Sequence, residues 1–381
     1  MNSRERVVAA LEHREPDKVP NDFSGTIVSG IHIEAYKALV DFLGLEVPEP
    51  RIWDPVQRLA EVDEGVRRRL QSDCVPLCIR PPDTWSLEIQ DQGDCYVYVD
   101  EWGTTMRMTK RRGYYFEFWR FPIQRPEDAR SYRWPDPADP GRYRGLREEG
   151  RDLYEGTEYA ICGAPLFGGG ILEQATRIMG FEKFLVLLGR KSPWADYILG
   201  TLTDIYLETI ERFLEEVGEF IQVLVYWDDL ATQDSLLVSP ETYRTMIKPK
   251  HRKLFDLVHS KTRAKVFFHT DGAIWPLIPD LIEAGVDILQ PIQVGAKGIG
   301  DTAELKRVFG KDLVFWGASC DSQHTLPFGK PEEVAEETRR HVLDLKPGGG
   351  YVFGPIHNIQ PLVPPENIMA MYETFFQCRA Y

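Results

Sequence analysis

The sequence lacks any apolar run long enough to cross a membrane. A bilayer-spanning helix needs about 18 to 20 consecutive apolar residues, and no stretch of the 381-residue chain approaches that length. Residues 1–6 also lack the apolar core of a signal peptide. We therefore expect a cytoplasmic protein with no membrane partner.

The sequence has fewer basic than acidic residues. Lys and Arg together number 45 against 59 Asp and Glu, which gives a formal net charge of −14 at pH 7. Such a charge repels phosphate backbones and anionic lipids. We therefore expect neither nucleic acid nor a membrane surface as a partner, and small molecules and other proteins are the classes left.

Closely spaced cysteines are also missing. The six cysteines are scattered through the chain without a paired framework, which favours reduced thiols in a cytoplasm over a disulfide scaffold. Two glycine runs, 168–170 and 348–350, have neither the spacing of a dinucleotide-binding motif nor that of a phosphate-binding loop. The sequence therefore gives no sign of a nucleotide cofactor.

Strand and helix patterns alternate through most of the chain. Predicted strands lie near residue 21 and at 74–79, 159–162, 221–226, 265–268, 286–289, 313–316 and 351–353. This repetition indicates a parallel sheet with helical crossovers, and about eight strands suit a closed (β/α)8 TIM barrel. A doubly wound open sheet is the main alternative, weakened by the missing glycine motif.

Two regions depart from simple repetition. Residues 86–123 alternate polar and apolar side chains between glycine turns, which predicts an antiparallel β meander inserted into the barrel. Ser239-Pro240 marks the start of a helix predicted over 239–259. We treat 1–381 as one barrel domain that carries this insert.

Candidate metal ligands follow two of the predicted strands. His269 and Asp271 come directly after strand 265–268, and Gly272 allows the backbone to turn sharply. His357 follows a later strand. Because loops after parallel strands share the carboxyl edge of the sheet, two imidazoles and a carboxylate can converge there. This ligand set can bind zinc or another divalent ion.

These residues also have a purely structural interpretation. His269 can hydrogen-bond within its own loop, and Asp271 can cap the helix that follows. On the residues alone, the metal site and the structural interpretation both stay open.

Adjacent carboxylates, Asp228 and Asp229, follow the predicted strand 221–226. Like charges this close raise one pKa and leave the other group ionised, so the pair can divide acid and base roles. We predict both as catalytic residues. The alternative is that Asp229 caps a turn while Asp228 is solvated or paired with a Lys or Arg. Cys320, after another strand, is either a thiolate ligand or an inert packed thiol.

Further residues at or near strand ends are predicted to bind substrate. Their side chains offer amide groups and one aromatic ring at the edge where the active site is expected. They are Asn21, Trp227, Gln293 and Asn358.

Motifs along the whole chain match one family pattern. They are Arg4-Glu-Arg-Val-Val-Ala-Ala-Leu11 with Glu15-Pro-Asp-Lys-Val-Pro20, Asp228-Asp-Leu230 with Gln233, Leu237-Val-Ser-Pro-Glu-Thr-Tyr-Arg244, His269-Thr-Asp-Gly272, Ile278-Pro-Asp-Leu-Ile-Glu-Ala-Gly-Val-Asp-Ile-Leu-Gln-Pro291, Leu326-Pro-Phe-Gly329 and His357-Asn-Ile-Gln-Pro-Leu-Val-Pro-Pro-Glu-Asn-Ile368. With them the chain resembles the uroporphyrinogen decarboxylase superfamily, specifically its branch of cobalamin-dependent corrinoid methyltransferases and their relatives. The resemblance implies a (β/α)8 barrel with its site at the carboxyl ends of the strands.

The resemblance also implies a zinc site. In the family's methyltransferases a His-x-Cys pair and a later Cys hold zinc; here His269 matches the His, while Asp271 and His357 stand at the two Cys positions. This harder ligand set suits an ether or hydroxyl oxygen better than a thiolate. The decarboxylase branch carries an Arg-rich segment after its first strand, whereas residues 21–30 contain no basic residue.

We therefore predict a metal-dependent methyltransferase. It would demethylate a small O- or N-methylated substrate and pass the methyl group to cobalamin on a separate corrinoid protein. Two alternatives stay open. One is a uroporphyrinogen-type decarboxylase in which Asp228 or Asp229 stabilises a pyrrole cation, and the other is a catalytically silent binding barrel. A homodimer is an open alternative for the assembly.

Overall fold

A computed structural model describes residues 1–111 and 113–381 of the chain. The strands are β1 (Ile52–Asp54), β2 (Leu59–Ala60), β3 (Cys74–Cys78), β4 (Gln90–Asp91), β5 (Cys95–Val99), β6 (Thr105–Thr109), β7 (Glu117–Arg120), β8 (Ala160–Ala164), β9 (Val223–Trp227), β10 (Lys265–His269), β11 (Ile288–Gln290), β12 (Val314–Trp316) and β13 (Tyr351–Val352).

Helices surround and connect these strands. They are α1 (Ser3–Leu11), α2 (Ile33–Leu43), α3 (Glu64–Arg69), α4 (Leu146–Gly156), α5 (Ile171–Met179), α6 (Phe181–Gly189), α7 (Pro193–Val217), α8 (Pro240–Thr242), α9 (Lys248–Lys261), α10 (Ile278–Ala284), α11 (Thr302–Phe309), α12 (Thr325–Phe328), α13 (Pro331–Leu345) and α14 (Pro365–Cys378), with 3-10 turns at Pro126–Arg130, Pro140–Arg142 and Trp275–Leu277. Among the described residues, no helix combines the length and the apolarity that a bilayer crossing requires.

Seven of the strands form one curled parallel sheet. Their order is β13-β12-β11-β10-β9-β8-β3, which follows the chain from edge to edge. Every residue of β8, β9, β11 and β12 is buried, because barrel side chains cover one face and helices cover the other. Strands covered on both faces explain the continuous apolar runs in the sequence. The fold is mixed α/β and TIM-like.

Segment 20–22 lies between the two edge strands of this sheet. Phe353, just after β13, donates its N–H to the Pro20 carbonyl at 2.9 Å and accepts the Asp22 N–H at 2.7 Å. On the other side, Asp73, just before β3, donates its N–H to the Asn21 carbonyl at 2.7 Å. The predicted first strand is thus reduced to a single bridge, between Asn21 and Phe353, with one backbone hydrogen bond from Asp73 at the opposite edge. Pro20 lacks an N–H and cannot extend the ladder.

The region predicted as a meander contains four antiparallel strands in the order β4-β5-β6-β7. We call these strands the β insert. It has a small apolar cluster of its own around Tyr98, Met106, Met108 and Phe116, in which the Tyr98 and Phe116 rings meet edge to face at 4.8 Å. Residues of the β insert and the carboxyl ends of β3, β8 and β9 line one cavity.

The helix predicted over 239–259 is interrupted. A π-helical segment, Tyr243–Ile247, separates α8 from α9. Pro249 provides the reason, because it has no N–H and its ring clashes with the carbonyl four residues earlier in a regular helix. The wider turn accommodates the proline, and α9 then continues with His251 on its buried face.

Candidate metal centre and active site

The loop after β10 turns tightly. Gly272 has φ of +95°, and a Cβ at this position would lie 2.4 Å from the Thr232 carbonyl oxygen, so only glycine fits. The Gly272 N–H donates to Gln293 Oε1 at 2.6 Å. The turn holds the Asp271 side chain close to His269, the last residue of β10.

His269, Asp271 and His357 come together at the carboxyl edge of the sheet. Each offers one ligand atom, and these atoms all lie within 4.8 Å of one another. His357 Nε2 is 3.9 Å from Asp271 Oδ2, and the two imidazole ring centres are 5.4 Å apart. We call these three residues the metal cluster.

The donor set fits a divalent cation. Asp271 Oδ1 is buried and has no hydrogen-bond partner among the described residues, although a buried carboxylate oxygen normally has one. A cation between the two imidazoles would satisfy it. Burial lowers the pKa of His357 and opposes the attraction of Asp271, so the imidazole is held in the neutral form that metals bind.

Gln290 determines the tautomer of His269. The Gln290 Nε2 donates to the Ile356 carbonyl at 2.8 Å, so its Oε1 must face His269, where it contacts Nδ1. An amide oxygen can only accept, and His269 Nδ1 therefore carries the proton. The Nε2 lone pair of His269 is left for a metal ion, as in other metal sites where a hydrogen bond to the far nitrogen orients the ligand.

Replacing Gln290 by Leu is expected to weaken zinc binding about 10- to 100-fold, because the orientation and tautomer of His269 are no longer held. Zinc affinity measured by competition with a chelator checks this. Gln222→Leu is the matched control, since Gln222 is bound to the Ile161 N–H at the opposite, amino-terminal end of β9. Equal zinc affinity in the two variants would contradict the role given to Gln290.

Asp229 adjoins the metal cluster. Its Oδ1 accepts the Asp271 N–H at 3.0 Å. Burial, and then the charge of Asp271, raise the pKa of Asp229. Asp229 also lines a cavity of about 540 Å³ together with Glu173, Arg177 and a group of phenylalanines, which we call the first cavity. This volume suits a small organic substrate.

Asp228 occupies a different environment. It is fully buried and accepts hydrogen bonds from His251 Nε2 at 2.9 Å and from the N–H groups of Leu172 and Glu173 at 3.0 and 2.7 Å. The last two belong to the first turn of α5, where a carboxylate satisfies free donors and favours the helix dipole. Gly170 permits this approach, because a Cβ there would lie 2.5 Å from Asp228 Cβ.

The two carboxylates predicted as a catalytic pair lie in different environments. Consecutive residues of an extended segment point to opposite sides, so Asp229 faces the metal cluster while Asp228 faces α5 and α9. All the hydrogen bonds of Asp228 are internal. Asp228 accepts two N–H groups at the N-terminus of α5, whereas Asp229 lines the first cavity.

The residues predicted to bind substrate are divided among several places. Gln293 and Asn358 line a cavity of about 650 Å³ beside Asp271 and His357, which we call the second cavity. Trp227 lines a separate cavity under the β insert. Asn21 is fully buried, and its Nδ2 donates to the Leu70 carbonyl at 2.7 Å. Through this hydrogen bond Asn21 supports the turn after α3.

Comparison with known proteins identifies the family. The model of the family described as uroporphyrinogen decarboxylase (URO-D) matches residues 93–377. The chain belongs to the URO-D family. This confirms the resemblance of its motifs.

Relatives of this URO-D protein include two curated enzymes. A methylated-thiol–coenzyme M methyltransferase from Methanosarcina mazei is 26% identical over 267 residues, which cover 64% of the chain and 60% of that enzyme. A uroporphyrinogen decarboxylase from Azoarcus sp. is 23% identical over 182 residues, which cover 47% of the chain and 46% of that enzyme. The matches thus span about half to three-fifths of the relatives' lengths.

A solved structure supports the fold. A methyltransferase from Methanosarcina mazei superposes with a TM-score of 0.67 at 19% identity and covers 99% of both chains. At this identity the likeness establishes the TIM-like architecture of the URO-D chain.

Cys320 of this URO-D chain is not brought to the metal cluster. The thiol is fully buried, and burial raises its pKa well above the ordinary value. Among the described residues, the candidate metal ligands within reach of one another are His269, Asp271 and His357. The packing environment of Cys320 is that of an inert thiol.

Glu173 was not predicted from the sequence, and neither was the contact by which Gln290 orients His269. Glu173, at the start of α5, lines the first cavity, and burial raises its pKa to about 7 despite the nearby Arg177. Gln290 orients His269. A signal for Glu173 was available in the glycine run 168–170 after β8, which marks a loop at the active-site edge. The last position of β11 gave a similar signal for Gln290.

Proposed function

We propose that this URO-D family protein is a metal-dependent methyltransferase. It would take a methyl group from the oxygen or nitrogen of a small substrate and pass it to cob(I)alamin held by a separate corrinoid protein. The observation that carries the proposal is the metal cluster of two imidazoles and a carboxylate, of which Asp271 and His357 line a cavity of substrate size. The Methanosarcina relative, a methyltransferase by name, supports the class of reaction.

The ligand set indicates which atom of the substrate carries the methyl group. The positions at which the family resemblance expects two thiolates hold Asp271 and His357. A metal ion bound there would act as a Lewis acid that makes the leaving oxygen or nitrogen a better leaving group. Oxygen and nitrogen ligands favour hard or borderline partners over a soft thiolate. The proposal is therefore transfer from a methyl ether or methylamine, in contrast to the thiol chemistry in the relative's name.

The transfer balances as a nucleophilic substitution at carbon. The bond from the methyl carbon to oxygen or nitrogen breaks, and its electron pair leaves with the heteroatom, which takes up one proton. Cobalt(I) supplies the electron pair of the new carbon–cobalt bond and becomes formally cobalt(III). No further oxidant or reductant is consumed in the step.

The chain's own residues have distinct parts in this proposal. Gln290 keeps the proton on His269 Nδ1 so that Nε2 faces the site. Asp229, which lines the first cavity, orients the substrate next to the metal cluster. Asp228 acts through α5, because it holds the helix turn that presents Glu173 to the same cavity.

Methyl transfer can be tested with free cob(I)alamin as the acceptor, since its methylation changes the visible spectrum. The zinc-loaded protein is expected to methylate cob(I)alamin from at least one of a panel of methoxylated aromatics and methylamines. Asp229→Asn is expected to slow the reaction about 100- to 10,000-fold, on the scale of a lost proton-transfer group. Unchanged rates after zinc removal by a chelator would rule out the metal mechanism.

A second assay separates the decarboxylase alternative. Uroporphyrinogen offered to the metal-free protein is expected to remain unchanged, because segment 21–30 provides no basic residue for its carboxylates. Formation of decarboxylated porphyrinogen without metal or corrinoid would overturn the proposal in favour of that alternative.

A further inference from the structure

A third cavity, of about 320 Å³, lies between the barrel and the β insert. The ends of β3, β8 and β9 form its floor, and strands of the β insert form part of its wall. It shares Phe118 and Arg177 with the first cavity and no lining residue with the metal cluster. Aromatic side chains dominate the wall; they are Trp53, Trp85, Tyr98, Trp102, Phe167 and Trp227.

The indole N–H groups of two of these tryptophans already donate hydrogen bonds within the protein. Trp85 Nε1 donates to the Val99 carbonyl at 3.0 Å, and Trp102 Nε1 donates to the Phe167 carbonyl at 2.8 Å. These two indoles therefore have no free N–H for a ligand. Trp102 is also stacked on Phe167, whose ring already contacts the Arg142 guanidinium. The aromatic surface left in the lining is that of Trp53, Trp85, Tyr98 and Trp227. Such a wall attracts organic cations through the ring quadrupoles.

Two carboxylates in the cavity lack a cationic partner. Asp54 accepts the Gln57 N–H at 2.7 Å, and Asp100 accepts the Thr104 N–H at 2.7 Å. Neither forms a salt bridge within residues 1–111 and 113–381. Burial raises the pKa of each to about 6, so both are mainly ionised at pH 7.5.

The remaining charges at the cavity are paired. Glu101 binds Arg142, Arg80 binds Glu149, and Arg177 binds Glu173. Arg177 lies close enough to lower the pKa of both Asp54 and Asp100, yet burial outweighs it. The two aspartates thus leave the cavity with excess negative charge.

A buried hydrogen-bond donor faces the same cavity. Gln174 is 1% exposed, lines the cavity, and accepts the Gly169 N–H on its Oε1 at 2.9 Å. Since a backbone N–H can only donate, the amide orientation is determined. Gln174 Nε2 is left without a partner among the described residues, as is Arg177 Nε. Buried donors of this kind normally have an acceptor.

We propose that the third cavity binds a small alkylated ammonium ion that also carries an oxygen acceptor. The aromatic wall and the two unpaired aspartates would hold the ammonium group, and the free Gln174 donor would hold the oxygen. This inference goes beyond the proposed function, because it concerns binding in a cavity separate from the metal cluster and requires no methyl transfer.

Choline and its uncharged isostere 3,3-dimethylbutan-1-ol provide the test. The two probes share shape and hydroxyl group and differ in charge, so titration calorimetry at pH 7.5 on the full chain isolates the contribution of the cation. Choline is expected to bind at least about 10-fold more tightly than the isostere, since the isostere lacks the charge that makes a cation–π contact favourable. Similar affinities, or no choline binding at millimolar concentration, would overturn the proposal.

A double variant, Asp54→Asn with Asp100→Asn, keeps the turn hydrogen bonds and removes both charges. It is expected to lose the preference for choline while keeping the affinity for the isostere. Asp41→Asn with Asp94→Asn is the control, since it makes the same change of net charge at exposed positions. Undiminished choline binding in the first variant would count against the proposal. Because no corrinoid is present, failure here is distinguishable from failure of the methyl-transfer assay.

Discussion

Replacing His269 and His357 together by Ala is expected to reduce bound zinc from about one ion per chain to less than about a tenth. The two imidazoles supply two of the three protein ligands of the metal cluster. Losing a residue that only supports a ligand already costs about 10- to 100-fold in affinity, so losing two ligands is expected to cost more. Elemental analysis of protein purified with added zinc gives the stoichiometry.

Two controls accompany this measurement. His259→Ala removes an imidazole that lies outside the metal cluster and pairs with Asp287, and it is expected to leave zinc content unchanged. Circular dichroism is expected to show the same secondary structure in the double variant and the wild type, because the strands keep their backbone ladder. A double variant that still binds one zinc per chain would place the ion elsewhere and remove the basis of the metal mechanism.

Replacing Asp228 by Ala is expected to lower the free energy of unfolding by about 3–5 kcal/mol, because three buried donors lose their acceptor. The change leaves His251 and two N–H groups of α5 without their acceptor. Each unsatisfied buried group costs roughly 1–3 kcal/mol. Denaturant unfolding followed by circular dichroism provides the measurement.

Asp229→Ala is the natural comparison, because the two residues are adjacent in the chain. Asp229 accepts one hydrogen bond, from the Asp271 N–H, so its loss is expected to cost less than about 2 kcal/mol of stability while slowing methyl transfer strongly. The two variants are thus expected to separate stability from activity. A stable Asp228→Ala protein beside an unfolded Asp229→Ala protein would contradict both assignments.

Much of the fold could be predicted from local sequence patterns. Apolar runs such as β9 and β10 are buried on both faces, and this burial is what a parallel strand requires. The alternation with helices then identified the TIM-like class. The interruption at Tyr243–Ile247 was missed, because a Pro within a helical pattern can end, kink or widen a helix and the sequence does not distinguish these outcomes.

The metal cluster could be predicted from the sequence for the same reason. His269 and Asp271 follow one strand and His357 follows another, and the ends of parallel strands share one edge. Sequence position alone was enough to predict that they lie near one another. The direction in which each side chain points could not be predicted in this way. Asp228 and Asp229 are adjacent in the chain, yet their side chains contact different parts of the protein.

The sequence by itself determined the family, the approximate positions of the parallel strands and the residue types available at the active-site edge, because these depend on local pattern and motif. Only the tertiary structure decided that Gln290 orients His269, that Asp228 serves α5, and that Asp54, Asp100 and Gln174 meet in one cavity. Each of these contacts joins residues more than 20 positions apart in the chain. Such contacts depend on how strands, helices and the β insert pack together, which no local pattern of residues encodes.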